Sequence, residues 1–275
     1  MVRAASAGRE ALSFRPSARM SPPETDSTAL KVQTFSKPSL KELISMGFLK
    51  RFFRNVLRDG SIPVGTSSFD EVPEEELEAH LNVCRYGDFL LPDAIRPSFD
   101  LQVMPKQGFR HDHYHDEQNG ASVPVLMSSV SKERLFETFL DLLDPLGPVV
   151  DVVLETSHNR TSSGHTDLFR EHIDMPVLKS ILYDFEKLLT NDGCTGIAVL
   201  NPGIPQEVQF DEHKLLIVYG EDLSDYEDIF RHQDIINDEH MRFLTEAEHV
   251  HSSSDNYAEE FENLKTELGM DGDYL

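Results

Sequence analysis

From residue 123 to 268 the apolar side chains repeatedly change period, and that alternation restricts the fold more than any other feature of the chain. Residues 123–127 read as a strand, after which Ser131 starts a helical pattern to Leu143 with Leu135, Phe136, Phe139, Leu142 and Leu143 on one face. Pro145, Gly147 and Pro148 end that helix, and the Val-rich run 149–156 reads as a second strand. A polar loop is expected to Asp174. Pro176 then opens a helix carrying Val177, Ile181, Leu182, Phe185, Leu188 and Leu189, which stops at Asn191-Asp192-Gly193. Three short apolar runs at 197–200, 207–210 and 215–219, joined by tight turns, have the spacing of an antiparallel meander. A helix at 224–232, an edge strand at 241–247 and a last helix at 255–268 with Tyr257, Phe261 and Leu264 inward complete the pattern. Each element has one apolar face to bury. The expected fold class is therefore α/β or α+β, with a mixed sheet containing an antiparallel meander and packed helices in an acidic domain over 121–275.

The first 120 residues read differently. Residues 1–37 carry Arg3, Arg9, Arg15 and Arg19 among Ala, Ser and Pro, and are expected to be a disordered basic tail. Over 38–120 the expectation is N-terminal helices and a long polar loop. A basic amphipathic helix is predicted at 39–58, because Ser39 and Glu42 form a capping box and Leu40, Leu43, Ile44, Phe48, Phe52 and Val56 recur at helical spacing. A short helix is predicted at 74–83, and the segment 86–120, broken by Pro92, Pro97, Pro105 and Gly108, reads as loop with a short strand at 100–104.

Charge divides along the same line. The chain totals −24, but residues 1–58 hold 11 basic and 4 acidic side chains, so the remainder stands at −31. Neutralising phosphates needs excess Lys and Arg, so nucleic-acid binding is excluded for the acidic body. The division predicts a protein partner, with the basic helix docked on that partner or on the acidic body. Membrane-surface attachment through helix 39–58 is the alternative; Phe48, Lys50, Arg51, Phe52, Phe53 and Arg54 are the contact candidates in either case. Cys84 and Cys194 lie far apart, and neither belongs to a C-x-x-C pair. That usage fits a reducing cytoplasm and supplies no disulfide framework.

Two histidine strings could hold a divalent metal. In an extended segment alternate residues share a face, so His111, His113 and His115 can converge, with Asp116 beside them. His249 and His251 form a second His-x-His; on a strand they point together and away from Glu246 and Glu248. His158, His165 and His172 fall in the expected polar loop. No P-loop, Rossmann glycine fingerprint or G-x-S-x-G occurs, and no coherent catalytic set is visible. The leading expectation is consequently a soluble, non-enzymatic protein-binding or regulatory domain that needs no cofactor, and the alternative is a metal-dependent hydrolase using the 111–115 string.

Overall fold

A computed structural model describes residues 56–59, 67–115, 122–158 and 166–271. Its centre is a seven-stranded sheet built from β5 (Gly108–His115), β6 (Ser122–Ser129), β7 (Val149–Thr156), β8 (Thr166–Asp174), β9 (Thr195–Leu200), β10 (Glu207–Phe210) and β11 (Leu215–Tyr219). The strand order is β5-β6-β11-β10-β9-β7-β8, and every neighbouring pair is antiparallel. The expected meander forms as β9-β10-β11, with Val208 opposite both Val199 and Val218.

Alternation along the strands gives the sheet two faces of different character. On one, Leu126, Val152, Leu154, Ile197, Val199, Val208, Phe210, Leu216 and Val218 pack against helices α2 (Lys132–Leu142), α3 (Met175–Asp184), α4 (Glu186–Asn191), α5 (Ser224–His232) and α6 (Asp255–Glu267). The helices contribute Leu135, Phe139, Leu178, Leu182, Tyr226, Phe230, Phe261 and Leu264, so the layer is the main core. The other face carries Val125, Met127, Leu215 and Ile217 under Met241 and Phe243, and further along the acidic Glu155 and Glu207.

A second, three-stranded sheet has the order β1-β12-β4, with β1 at Val56–Asp59, β4 at Ile95–Pro97 and β12 at His249–Ser252. Helix α1 (Glu74–Leu81) lies beside it, and buried Arg96 of β4 donates to Leu81 O at 2.9 Å and Pro92 O at 2.6 Å. A two-residue hairpin pairs β2 (Arg85–Tyr86) with β3 (Phe89–Leu90).

Several elements differ from the sequence reading. Residues 56–58, expected at the end of the basic helix, are part of β1 and pair with β12; residues 1–55, with the tail and the rest of that helix, lie outside the described residues. The expected loop 86–120 contains β4 and the whole of β5, which is hydrogen-bonded into the main sheet across the expected boundary at 121. The loop after β7 contains β8, whose Thr-Asp-Leu-Phe-Arg-Glu-His-Ile-Asp sequence is polar because it is an edge strand with much of its length exposed. β8 also carries an extra residue opposite Asp151, with His172 at φ 54° and its N–H donating to Asp151 Oδ1 at 2.8 Å. The strand expected at 241–247 is irregular with a 3-10 turn at Leu244–Glu246, and the strand begins at His249. The single helix expected from Pro176 breaks at Phe185, which separates α3 from α4.

Candidate metal centre at one end of the sheet

Antiparallel pairing brings three turns to the same end of the main sheet. Thr156 at the end of β7 faces Thr195 at the start of β9, Ile197 faces Phe210, and Phe210 faces Leu216. The segments 157–158, 192–194 and 211–214 therefore emerge together. The small sheet is fastened on by Gly193, whose N–H donates to Ser252 O at 2.7 Å, while Ser252 N–H donates to Ala94 O at 2.8 Å. No larger residue fits at 193: a Cβ there would lie 2.5 Å from Ala94 O, 2.9 Å from Ser252 O and 3.0 Å from the His251 Cβ.

This docking sets His249 and His251 of β12 against His213 of the β10–β11 turn. The three ring centroids are 4.7 to 5.1 Å apart, and each ring offers a nitrogen within 4.8 Å of the other two. His249 and His251 are 1% and 2% exposed. Their tautomers follow from the partners of Nδ1. His249 Nδ1 lies 2.8 Å from Ala247 O and His251 Nδ1 lies 2.7 Å from Gly193 O; a carbonyl only accepts, so in both rings Nδ1 carries the proton and Nε2 the lone pair. His213 Nδ1 donates to Asp211 Oδ2 at 2.9 Å, so Nε2 is the nitrogen that carries the lone pair whenever this ring is neutral. A histidine held through one ring N–H by a carbonyl or carboxylate is oriented and made more basic at its other nitrogen, the arrangement that metal-binding imidazoles use.

The turn that delivers His213 is locally encoded. Asp211 Oδ1 accepts from Leu215 N–H at 2.8 Å while Oδ2 holds the imidazole, so one side chain both closes the turn and orients the ring. Burial alone would raise the Asp211 carboxyl, but His213 beside it and the Leu215 N–H keep it below the usual carboxylate range. Lys214, at φ 63°, turns inward instead, is buried, and donates from Nζ to Thr195 O at 2.8 Å. Burial lowers its pKa, against the raising effect of Asp192, Asp211 and Glu212. His213 and Lys214 also line a shallow cleft with Leu91, Val103, Phe243 and Leu244.

The residues singled out from sequence are placed as follows. His249 and His251 are brought together on one face of β12, while Glu246 turns to Arg110 at 2.6 Å and Glu248 accepts from Ser68 N–H at 2.8 Å, so neither carboxylate joins the imidazoles. His111 and His113 are exposed on edge strand β5 and belong to none of the metal-competent groups among the described residues. His111 is fixed by Glu239 at 2.6 Å and Glu227 at 3.1 Å, and the Glu239 hydrogen bond raises its pKa. His115 ends β5 opposite Ser122, and Asp116 lies outside the described residues, as do Phe48, Lys50, Arg51, Phe52, Phe53 and Arg54. His213 was not singled out. Its only local signal is the Asp-x-His spacing of Asp211 and His213, which acquires meaning once β12 is opposite.

No described helix is long and apolar enough to cross a membrane. In comparison with known proteins, the chain matches no family model, no curated protein and no solved structure.

Proposed function

We propose that this is a divalent transition-metal protein whose centre is His213, His249 and His251, and that its chemistry is metal-dependent hydrolysis. The observation that supports the reading is the set of three converging imidazoles, each with Nδ1 engaged by a carbonyl or carboxylate. Three neutral nitrogen donors suit Zn2+ or a neighbouring first-row ion. Among the described residues the group is three imidazoles, and hydrolysis would require that a bound ion keep a further position for water or substrate. Such an ion lowers the pKa of its bound water to about 7 and polarises a carbonyl or phosphoryl oxygen. The role of Asp211 is to hold the His213 tautomer.

Titration of the full chain with Zn2+ by calorimetry, with elemental analysis of the purified protein, tests the centre. His213→Ala and His249→Ala are each expected to remove binding at this site, and Asp211→Asn to weaken it by about 10- to 100-fold. Undiminished Zn2+ stoichiometry and affinity in folded His213→Ala and His249→Ala would overturn the assignment. Hydrolysis of ester and phosphoester substrates that is lost in chelator and restored by the ion tests the reaction class. A second reading, an acidic module that binds a protein partner, is supported by the charge division between residues 1–58 and the rest.

A further inference from the structure

A second convergence of side chains lies on the other side of the Asp192-Gly193-Cys194 turn. His158 Nε2 is 2.9 Å from Asp192 Oδ2, and Thr195 Oγ1 donates to the same oxygen at 2.5 Å. The His158 ring, the Asp192 carboxylate and the Cys194 thiol each offer one ligand atom, and the three atoms lie within 4.8 Å of one another. They come from the end of β7, the turn after α4 and the start of β9, so the main sheet itself sets their spacing.

Two features separate this group from an ordinary buried ion pair. Asp192 is 0% exposed, and its Oδ1 has no partner at hydrogen-bond geometry among the described residues, with the Ser253 hydroxyl beside the carboxylate. A buried charged acceptor without a donor is costly, and this carboxylate stands beside a buried thiol. The second feature is the donor set itself. Sulfur, nitrogen and oxygen donors within one small volume match a thiophilic ion, and a thiolate with a carboxylate supplies two negative charges against a divalent cation.

Nucleophilic catalysis by the same residues is disfavoured by the geometry. The imidazole nitrogen that a cysteine would need as base is already on Asp192, and burial pushes the Cys194 thiol up, whereas a nucleophilic cysteine needs it lowered.

We propose that His158, Asp192 and Cys194 form a second metal site, for a thiophilic divalent ion such as Zn2+, adjoining the three-histidine centre. On binding, the Cys194 S–H proton leaves to the buffer as the sulfur–metal bond forms. The ion takes the position of the proton between His158 Nε2 and Asp192, and that proton moves to Nδ1 or to the buffer. The two centres share a backbone joint, because Gly193 O, between two of the new ligands, is the acceptor for His251 Nδ1. The second site does not depend on the first being occupied, since none of its ligands belongs to the histidine group.

Cobalt(II) titration of the full-length, metal-free chain tests this, because a thiolate ligand gives a near-ultraviolet charge-transfer band that an all-histidine site lacks. The expected result is two equivalents bound, with that band present in wild type and in Cys84→Ser and absent in Cys194→Ser. Asp192→Asn should weaken the band-forming step by at least about tenfold. His249→Ala should keep the band while losing the other equivalent, which separates the two proposals. A wild-type protein that saturates with Co2+ and shows no thiolate band overturns the second site and leaves the histidine centre standing. A band that disappears in Cys84→Ser and persists in Cys194→Ser also overturns it. The wild-type spectrum alone decides the matter if Cys194→Ser does not fold.

Discussion

Glu155 should make the fold less stable as pH rises through neutrality, and Glu155→Gln should remove that dependence. The side chain stands on β7 with Asp167 directly opposite on β8 and Gly196 opposite on β9. Lacking a side chain, Gly196 leaves room into which the Glu155 carboxylate leans; a Cβ there would be 3.3 Å from Oε2. Burial raises the carboxyl first, and the charges of Asp167, Asp211, Glu212 and Glu207 raise it further, to about 7 from the usual 4.5. The folded state thus holds this proton more tightly than the unfolded chain. The stability from that proton is fully present below about 4.5 and is lost as pH rises through about 7. Each tenfold change in proton affinity is about 1.4 kcal/mol, which puts the total near 3 kcal/mol, or about 2–3 allowing for partial exposure. In a domain of this size a change of 1 kcal/mol moves Tm by about 2–4 °C. Glu155→Gln, close in shape to the protonated acid, should match wild type at about pH 4 and unfold about 4–12 °C higher at about pH 8.5. The assay is thermal and urea unfolding of both proteins at the two pH values, with chelator present so that the neighbouring histidine centre stays empty. A difference between the proteins that is the same at both pH values would rule out this proton linkage.

Gly193→Ala should destabilise by about 1–3 kcal/mol or more in urea unfolding, because the new Cβ meets backbone oxygens on two sides, and should also weaken Zn2+ binding by moving His251 off Gly193 O. The stabilising contact of His111 with Glu239 and Glu227 is full below the unfolded histidine value of about 6.5 and is lost as pH rises through its raised folded value. His111 is 41% exposed, so His111→Ala should cost only about 0.2–1 kcal/mol below that value and leave Zn2+ stoichiometry unchanged, as calorimetry would show.

Legibility followed burial pattern. β7, β9, β10 and β11 were visible in the sequence because they cross the middle of the sheet and are mostly buried. β5 and β8 have loop-like sequences because they are the two edges, where polar and charged residues keep the strand from pairing further. β4 is only 3 residues long, too short for a period to register. Of the candidate centre, the His249-x-His251 pair was legible as alternate residues of a strand, and His213 was not. The 111–115 string holds three histidines in five residues, but strand alternation there points His111 to a surface ion-pair cluster.

The amino-acid sequence on its own settled where apolar faces fall after residue 130, and hence the helices there, the meander and the net acidity of the chain after residue 58. Local spacing carries that information because helix and strand periods act over a few neighbours. Which histidines meet is a long-range matter. His213 and His249 are 36 residues apart, and Asp192 and His158 are 34 apart. They converge only because antiparallel pairing carries three turns to one end of the sheet and the close approach at Gly193 seats β12 against them.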